Sequence, residues 1–503
     1  MATIRVDLDR RIGLISPLIY GSLIEHIDRC IYGGILDASQ AEAGECVPRE
    51  DTLAAVRALQ VPILRWPGGN FASGYHWLDG VGPIGERPRR LNLGQNGEES
   101  NVFGTAEFIR YCRLISAEPY ICLNLGTGTV DEAQAWVEYC NGRGDSYWAN
   151  LRRRHGYAEP FDVRFWGLGN ELYGAWQVGA KSDASDYAKV AKEAAKMMRL
   201  TDPSVALASC GEIGYTDWDA RVIAQLGRDV RYHSIHIYTG NADYYQNVFM
   251  PHHVERALRI AQALIDKTRY EQQLSAPLTI ALDEWNVMYR ARPGWSEEPY
   301  DLADALAVAT FFNIFHRWAR TVEIANMAQL VNALAPITTT DSGVLFRPTY
   351  WPCLLYRRHC REVALDVWLD CETYDHLGAP MYDPDPHMYA APYRAADLGP
   401  FPYLDVSATV DAACEHLTLA VVNRHREEDI ETMVDIRDAD VAPDAMCYEV
   451  NGPGVHSANS AQEPNCVGVT EQRLFVQPQF TYVFPAHSIT LLTLRVSPHH
   501  ERR

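Results

Sequence analysis

The chain contains the stretch Phe165-Trp166-Gly167-Leu168-Gly169-Asn170-Glu171, a short and mostly apolar run that ends in an Asn-Glu pair. Residues 164–169 have the length and composition of a buried strand, and Gly174 and Gly179 then indicate a loop. Barrel enzymes hold their catalytic groups at the carboxyl ends of parallel strands, which is where Glu171 falls. The stretch therefore predicts a barrel strand with a functional carboxylate at its end.

A second run with the same pattern lies at residues 278–284 and ends in Asp283-Glu284-Trp285-Asn286. Two glutamates at strand ends of one barrel are typical of a hydrolase with paired carboxylates. Carboxylates about 5 Å apart act as nucleophile and acid/base, and a separation of about 6.5–9.5 Å leaves room for an attacking water. The sequence leaves both geometries open. Adjacent side chains alternate along a strand, so we expect Asp283 to point to the opposite side from Glu284.

Runs of strand character alternate with runs of helical periodicity before residue 363. This unbroken series predicts an α/β fold, a (β/α)8 TIM barrel, over residues 15–362. The long connection at 80–100 is rich in Gly, Pro and Arg, which is typical of a functional loop. The predicted strands are 19–25, 62–66, 120–125, 164–169, 205–210, 232–238, 278–284 and 323–329. The predicted helices are 52–59, 104–117, 130–139, 184–200, 218–226, 254–268, 302–318 and 350–361.

The pattern changes after residue 362 to short alternating runs divided by turns. Such runs predict an antiparallel, jelly-roll-like β-sandwich domain over residues 363–503. Residues 3–8 also alternate like a strand, and we expect the segment 1–14 to join this sheet. The predicted sandwich strands are 403–407, 417–423, 432–436, 447–450 and 488–496, preceded by an irregular connection at 378–403 that is rich in Pro and Tyr.

The chain is acidic, with 65 Asp and Glu against 45 Lys and Arg and a net charge of −20. This charge argues against nucleic acid or an anionic membrane as a partner and favours a neutral substrate. No apolar run is long enough to span a membrane, and the start Met-Ala-Thr-Ile-Arg-Val-Asp lacks the pattern of a secretory signal. We expect a soluble, cytoplasmic protein.

The 12 cysteines are scattered, with no CxxC pair and no Cys/His cluster of zinc spacing. Free, buried thiols are the state that this distribution favours. We expect neither a metal ion nor another cofactor.

Four motifs together resemble glycoside hydrolase family 51, and the resemblance runs nearly end to end. It implies a retaining, exo-acting α-L-arabinofuranosidase that releases terminal non-reducing arabinofuranosyl residues from oligosaccharides, with Glu171 as acid/base and Glu284 as nucleophile. The resemblance also implies a homo-oligomer, a hexamer. The motifs are Trp166-Gly167-Leu168-Gly169-Asn170-Glu171, Leu282-Asp283-Glu284-Trp285-Asn286-Val287, Arg65-Trp66-Pro67-Gly68-Gly69-Asn70 and Ala328-Gln329-Leu330-Val331-Asn332.

The resemblance extends to five substrate-binding residues. Asn170 would hydrogen-bond the sugar 2-hydroxyl, an interaction that strengthens in the transition state. Glu25 and Asn70 resemble the groups that hold the outer hydroxyls of the furanose ring. Tyr238 resembles a tyrosine that hydrogen-bonds the nucleophile, and Gln329 resembles a sugar ligand on the eighth strand.

Three further residues are expected to support the site. Arg65, if it points inward, would lower the pKa of the nucleophile by its charge. His236 is expected to be a packed core histidine rather than a catalyst. Trp285 directly follows the nucleophile.

Three positions depart from the family prototype. Gln95 and Met288 stand where aromatic residues are common near the leaving group, and Tyr173 stands where an Asp is common. Losing both aromatics should weaken the subsite for a long glycan, unless Trp176 or Trp295 takes their place.

Other functions remain open at this stage. The same carboxylate pair would serve a β-xylosidase, a β-1,4-endoglucanase or another furanosidase. A divalent-metal barrel enzyme would need a third carboxylate or a His at a neighbouring strand end, which the fifth and eighth strands do not offer. The 12 Trp and 27 Tyr residues would also suit a carbohydrate-binding protein without turnover.

Overall fold

The computed structural model describes residues 1–95, 97–288, 297–376 and 395–499. No described helix is both long and apolar enough to cross a membrane. The first strands are β1 (Ala2–Leu14), β2 (Gly21–Leu23), β3 (Ile63–Trp66), β4 (Arg90–Leu91), β5 (Glu98–Glu99), β6 (Glu118–Cys122), β7 (Phe165–Leu168), β8 (Ala206–Cys210), β9 (Tyr232–Thr239), β10 (Thr279–Val287), β11 (Val322–Ala328), β12 (Ile337–Thr340) and β13 (Gly343–Phe346). The helices are α1 (Ala38–Glu42), α2 (Glu50–Leu59), α3 (Thr105–Ile115), α4 (Val130–Asn141), α5 (Tyr147–Arg154), α6 (Ala184–Thr201), α7 (Asp217–Leu226), α8 (Tyr244–Phe249), α9 (His252–Gln272), α10 (Leu302–Arg317) and α11 (Tyr350–His359).

The predicted barrel is confirmed: β2, β3 and β6 to β11 form a closed barrel of parallel strands. Its first strand is shorter than the predicted 19–25, because a 3-10 turn occupies Pro17–Tyr20. Proline is favoured at the start of such a turn, and the Ser16 hydroxyl accepts a hydrogen bond from the Leu18 amide at 3.2 Å. Strand β4 pairs with β5 within the long connection at 80–100.

A separate, mostly antiparallel sheet of nine strands follows the barrel, in the order β21-β20-β23-β18-β17-β14-β1-β19-β22. As expected, the N-terminal strand β1 joins this sheet, antiparallel to β14 and parallel to β19. One hydrophobic core draws residues from both ends of the strand order, so the sheet curls over itself. Its strands, with a small hairpin, are β14 (Val363–Asp370), β15 (Thr373–Tyr374), β16 (Phe401–Pro402), β17 (Leu404–Val410), β18 (His416–Asn423), β19 (Ile430–Arg437), β20 (Ala439–Asn451), β21 (Gly468–Phe475), β22 (Gln479–Phe484) and β23 (Ser488–Pro498).

Helix α10 joins the barrel to the sheet. It contacts β10 on one side and β14, β17, β18 and β23 on the other, and nearly all of its side chains are buried. Its polar residues meet Asp405 of β17, which accepts hydrogen bonds from Asn313 (2.8 Å) and Arg317 (3.1 Å). Arg424 lies 3.8 Å from the same carboxylate and is itself buried. Asp405 therefore pairs with arginines from both sides of the junction, and Glu255 provides a second carboxylate for Arg317, at 3.0 Å.

We predict that Asp405→Ala lowers the free energy of unfolding by about 3–5 kcal/mol, because it leaves the buried Arg424 without its ion-pair partner and removes one of the two carboxylates that pair with Arg317. Lys267→Ala is the control, since Lys267 pairs with Glu271 on the surface of α9 and should cost about 0.5 kcal/mol or less. Urea unfolding of the two variants measures the difference. Equal, small losses in both would show that Asp405 does not stabilise the junction.

Candidate active site

The two strand-end glutamates lie together at the carboxyl ends of the barrel strands. Glu171 lies three residues after the end of β7, Glu284 lies in β10, and both side chains are buried. A carboxylate oxygen of Glu171, one of Glu284 and a ring nitrogen of His236 all lie within 4.8 Å of one another. The sequence-predicted pair is therefore brought together inside the barrel mouth.

The carboxylate of Glu171 is held by three donors. It accepts hydrogen bonds from the Tyr173 hydroxyl (3.1 Å), the Trp176 indole (3.0 Å) and His236 Nδ1 (2.9 Å). Glu171 has a positive φ of 43°, a left-handed conformation that is rare for a residue with a side chain. Backbone strain of this kind clusters at functional sites.

Opposing effects act on the pKa of Glu171. Burial raises the pKa, but the hydrogen bond and charge of His236, followed by the hydrogen bonds from Trp176 and Tyr173, outweigh burial and lower it. The hydrogen bond from Tyr173 to Glu171 was not predicted, because the sequence comparison with the family showed only that Tyr173 stands where an Asp is common. Its position two residues after Glu171, in a loop, was the available signal.

We predict that Tyr173→Phe moves the basic limb of the pH profile of kcat/KM to higher pH. The hydroxyl stabilises ionised Glu171, so its loss raises the pKa, and a general acid then keeps its proton at higher pH. Tyr350→Phe is the control, since this hydroxyl donates to the Ala55 carbonyl at 3.2 Å, away from the carboxylates. An unchanged or lowered basic limb in Tyr173→Phe would contradict the prediction.

Glu284 accepts hydrogen bonds from Arg65 Nη1 (2.6 Å) and the Tyr238 hydroxyl (2.9 Å). Arg65 thus points inward, and Tyr238 makes the contact that the sequence suggested. Arg65 Nη2 also donates to Asn170 Oδ1 at 2.7 Å, which fixes the orientation of that amide. The Asn170 Nδ2 is buried and has no partner among the described residues. It therefore remains available to donate to a ligand.

The expectation for Asp283 is wrong, because its side chain shares the barrel interior with Glu284. The register of β10 against β9 runs from Ala281 opposite Ser234 to Glu284 opposite His236, so β10 contains one extra residue. Such a β-bulge interrupts the alternation of side chains. Burial raises the pKa of Asp283, but Arg65, followed by His236, outweighs it and lowers the pKa.

Asp283 contacts the residues that hold Glu171 and Glu284 in place. Its carboxylate lies 3.4 Å from Arg65 Nε and 3.3 Å from His236 Nε2. It also accepts hydrogen bonds from the Tyr120 hydroxyl, at 2.6 Å, and from Ser234. The second charged residue on β10 therefore positions Arg65 and His236.

His236 lies between three carboxylates. It is therefore part of the polar site and not only a packed core histidine, as the sequence had suggested. Its Nδ1 is 2.9 Å from Glu171 and 3.6 Å from Glu284, and its Nε2 faces Asp283. Burial lowers the pKa of His236, but Glu284, Asp283 and Glu171 outweigh it and raise the pKa to about 10. An imidazolium is thus the expected state at neutral pH.

The cluster of Glu171, His236 and Glu284 has the ligand types of a metal site. A metal-bound histidine must be neutral, whereas carboxylates on three sides favour the protonated ring of His236. Arg65 also occupies an oxygen of Glu284 at 2.6 Å. These residues therefore suit a protonated histidine between carboxylates better than a divalent metal ion.

Glu25 is the centre of a second polar group near Glu284. It accepts hydrogen bonds from the Phe71 amide (3.0 Å), Gln329 (2.9 Å) and Gln95 (3.2 Å). Burial, followed by the charge of Glu284, raises the pKa of Glu25. All its described hydrogen-bond donors are neutral, so the structure does not give it the role of an ion-pair partner.

Gly69 separates Glu25 from Glu284. A Cβ atom at this glycine would lie 3.1 Å from an oxygen of each carboxylate. The missing side chain thus leaves the space between the two glutamates open to a ligand. Asn70 follows directly at the start of a 3-10 turn and is partly exposed, and its side chain makes no hydrogen bond to the described residues.

Trp285 points away from the carboxylates. Its ring packs against Phe311, Phe312 and Phe315 of α10. Trp285 therefore supports the site indirectly, by packing β10 against this helix. Met288, which departs from the family, is 8% exposed, and Trp176, a candidate to replace the lost aromatics, is 37% exposed. Trp295 and part of the connection at 378–403 lie outside the described residues.

Two family models match the chain. The model described as "Alpha-L-arabinofuranosidase 1 domain" matches residues 55–256, and the model described as "Alpha-L-arabinofuranosidase C-terminal domain" matches residues 283–488. The two matches fall on the barrel and on its last part together with the sheet domain.

Curated and solved relatives agree with these models. A probable alpha-L-arabinofuranosidase C of Aspergillus clavatus is 40% identical over 97% of this chain and 96% of that protein. An intracellular exo-alpha-(1->5)-L-arabinofuranosidase of Halalkalibacterium halodurans is 36% identical over 87% of each. The alpha-L-arabinofuranosidase of Thermotoga maritima, solved with arabinose, has a TM-score of 0.89 and 38% identity over 98% of this chain and 100% of that chain.

Proposed function

The chain belongs to the α-L-arabinofuranosidases of glycoside hydrolase family 51, and we propose that it is a retaining, exo-acting enzyme of this kind. It would release terminal non-reducing α-L-arabinofuranosyl residues from arabinose-containing oligosaccharides. The observation that carries the proposal is the approach of Glu171 and Glu284 oxygens within 4.8 Å. This spacing supports double displacement, since inverting pairs stand about 6.5–9.5 Å apart.

In the first step, a Glu284 oxygen attacks the anomeric carbon and forms an ester, while the glycosidic bond breaks. Glu171 gives its proton to the departing oxygen, which leaves as an alcohol. The donors around Glu171 lower its pKa and so limit the pH range in which this proton is present. Arg65 and Tyr238 would hold Glu284 in the orientation for attack.

In the second step, ionised Glu171 takes a proton from water, and the resulting hydroxide attacks the anomeric carbon. The ester bond to Glu284 breaks, and arabinose leaves with its original configuration. Asn170 Nδ2 would donate to the sugar 2-hydroxyl in both transition states. The three donors on Glu171 favour the ionised form that this step needs.

The outer hydroxyls of the sugar would meet the polar group around Glu25. Gln329 and Gln95 orient this carboxylate, and Asn70 lies beside the open space at Gly69. A site built from hydrogen-bonding groups rejects sugars that lack the matching hydroxyls, because its buried polar atoms then stay unpaired. This group would therefore select the furanose ring.

We predict that Glu284→Ala reduces kcat on every glycoside by several orders of magnitude, because no nucleophile remains. The wild-type enzyme should release the retained anomer first, as followed by NMR during hydrolysis of an aryl arabinofuranoside. Glu212→Gln serves as a control for the loss of a nearby carboxylate. Glu212 accepts a hydrogen bond from Thr216 and does not belong to the cluster of Glu171, His236 and Glu284. First appearance of the inverted anomer would refute double displacement.

A β-xylosidase, a β-1,4-endoglucanase or another furanosidase remains an alternative on the same carboxylate pair. By the family resemblance, Gln95 and Met288 stand on the leaving-group side, where the prototype has aromatic residues. In this chain Gln95 donates to Glu25 at 3.2 Å and Met288 is buried. We propose that this subsite is weak and that short or unusual glycosides are preferred. Hydrolysis of a panel of aryl glycosides separates these activities.

We predict good activity on an aryl arabinofuranoside but a low kcat/KM on arabinoxylan or long arabinan. Gln95→Trp or Met288→Trp should raise the ratio of kcat/KM on arabino-oligosaccharides to kcat/KM on the aryl arabinofuranoside about fivefold, as roughly 1 kcal/mol of aromatic stacking would give. The ratio is used because loss of the hydrogen bond from Gln95 to Glu25 affects both substrates alike. Leu93→Trp is the control, because it adds an exposed aromatic elsewhere in the same loop. Absence of a gain in both variants, or equal wild-type efficiency on polymer and aryl substrate, would overturn the proposal.

We further propose a cytoplasmic homo-oligomer, a hexamer by resemblance to the family. All 12 cysteines are free, which suits a reducing compartment, and one relative is named intracellular. The proposed division of the chain into residues 1–14, 15–362 and 363–503 is supported by the strand order of the two sheets. Light scattering and limited proteolysis would test the assembly and the division.

A further inference from the structure

The sheet domain carries a cavity of about 350 Å³ that shares no residue with the active site. Its wall includes three arginines, Arg361, Arg473 and Arg495. Arg361 follows helix α11, Arg473 lies in β21 and Arg495 lies in β23, so three separate elements supply the charges. The cavity therefore depends on the folded junction of the barrel and the sheet.

The register of the sheet fixes most of the cavity wall. Met446 of β20 lies opposite Arg473 on one side and Thr493 on the other. One strand further, His416 of β18 lies opposite Arg495 of β23. Positions held by paired strands are defined more narrowly than positions on loops. The cationic groups thus sit on a rigid surface.

These arginines lack protein counter-ions, although the protein has a net charge of −20. Within the described residues, no carboxylate oxygen lies within the 4.0 Å ion-pair distance of Arg361, Arg473 or Arg495. The Arg361 Nε is buried and has no hydrogen-bond partner there. By contrast, His416 is already bonded to Asp411 at 2.7 Å. Three guanidinium groups therefore remain for an external anion.

The other residues that line the cavity indicate a ligand larger than a simple ion. Asp444 also faces the cavity, and its carboxylate would repel a bare anion but would accept hydrogen bonds from hydroxyl groups. Thr493 adds a hydroxyl, and Ala445 and Leu494 supply apolar surface. Guanidinium groups bind carboxylate and phosphate oxygens in pairs, while apolar surface suits the C–H face of a sugar ring. A cavity of this size is at the small end of ligand sites.

We propose that this cavity binds an anionic sugar. The guanidinium groups of Arg361, Arg473 and Arg495 take its carboxylate or phosphate, and Asp444 and Thr493 take its hydroxyls. A uronic acid unit of a glycan and a free sugar phosphate present the same chemistry. The former would tether the enzyme to an acidic polysaccharide, and the latter would report on the supply of phosphorylated sugars.

Isothermal titration of the full-length protein tests the proposal with galacturonate, glucose 6-phosphate, galactose, glucose and inorganic phosphate as probes. We expect one of the two anionic sugars to bind, its neutral counterpart not to bind, and added salt to weaken binding. Galacturonate binding identifies the glycan source, and glucose 6-phosphate binding identifies the metabolite source. Absence of binding by both anionic sugars, or inorganic phosphate binding as tightly as they do, would overturn the proposal.

Two variants locate the bound sugar. Arg473→Gln and Arg495→Gln should each weaken binding about tenfold or more, the loss expected for a charged hydrogen bond. The matched control is Arg259→Gln, because Arg259 is an exposed arginine on α9, outside the cavity. Activity on an aryl arabinofuranoside verifies that each variant is folded. Equal affinity in the wild type and both cavity variants would place the ligand elsewhere and overturn the proposal.

Discussion

The arrangement of the active site depends on the contacts of the buried Arg65 guanidinium group. It lies within hydrogen-bond or ion-pair distance of Glu284, Asp283 and Asn170. A carboxylate buried without a counter-ion is strongly unfavourable, so this cation, together with the nearby His236, offsets the cost of burying the two carboxylates of β10. Because the same group also fixes the Asn170 amide, the charge balance of the site and the orientation of its proposed sugar ligand Asn170 both depend on Arg65.

The bulge in β10 makes this arrangement possible. In a regular strand only one of two adjacent residues faces the barrel interior, and Arg65 and His236 would then share a single acidic partner on β10. The extra residue between Ala281 and Glu284 brings Asp283 inside as well. A small irregularity in the backbone thus supplies the second anion that holds both cations in place.

Sequence patterns predicted the parts of the fold that are buried. The barrel strands are short apolar runs, and their ends placed Glu171 and Glu284 correctly at the mouth of the barrel. Strand β21 was missed because its side chains are mostly exposed and show little apolar alternation. Strand β22 was missed although Phe480, Tyr482 and Phe484 alternate with more exposed residues. Strand β14 was missed although its first half is buried, since it follows the last barrel helix without a clear turn signal.

Contacts within the site were harder to predict, because they depend on local backbone geometry. The bulge that redirects Asp283 leaves no mark in residue types, and the positive φ of Glu171 determines which donors reach its carboxylate. From the sequence, Tyr173 was therefore noted only as a departure from the family pattern, and Trp176 only as a possible replacement for a missing aromatic residue. A family pattern assigns residue types to positions, whereas the hydrogen bonds depend on how the loop turns.

His236 connects the two catalytic carboxylates electrostatically. In the proposed first step Glu171 loses a proton and becomes negative, while Glu284 forms an ester and becomes neutral. The net charge around the imidazolium is then unchanged, and the negative charge only moves from one side of the ring to the other. His236 Nδ1 lies 2.9 Å from Glu171 and 3.6 Å from Glu284, so one cation stabilises the negative charge at both positions. Because the ring needs no change of protonation, its raised pKa is compatible with both steps of the reaction.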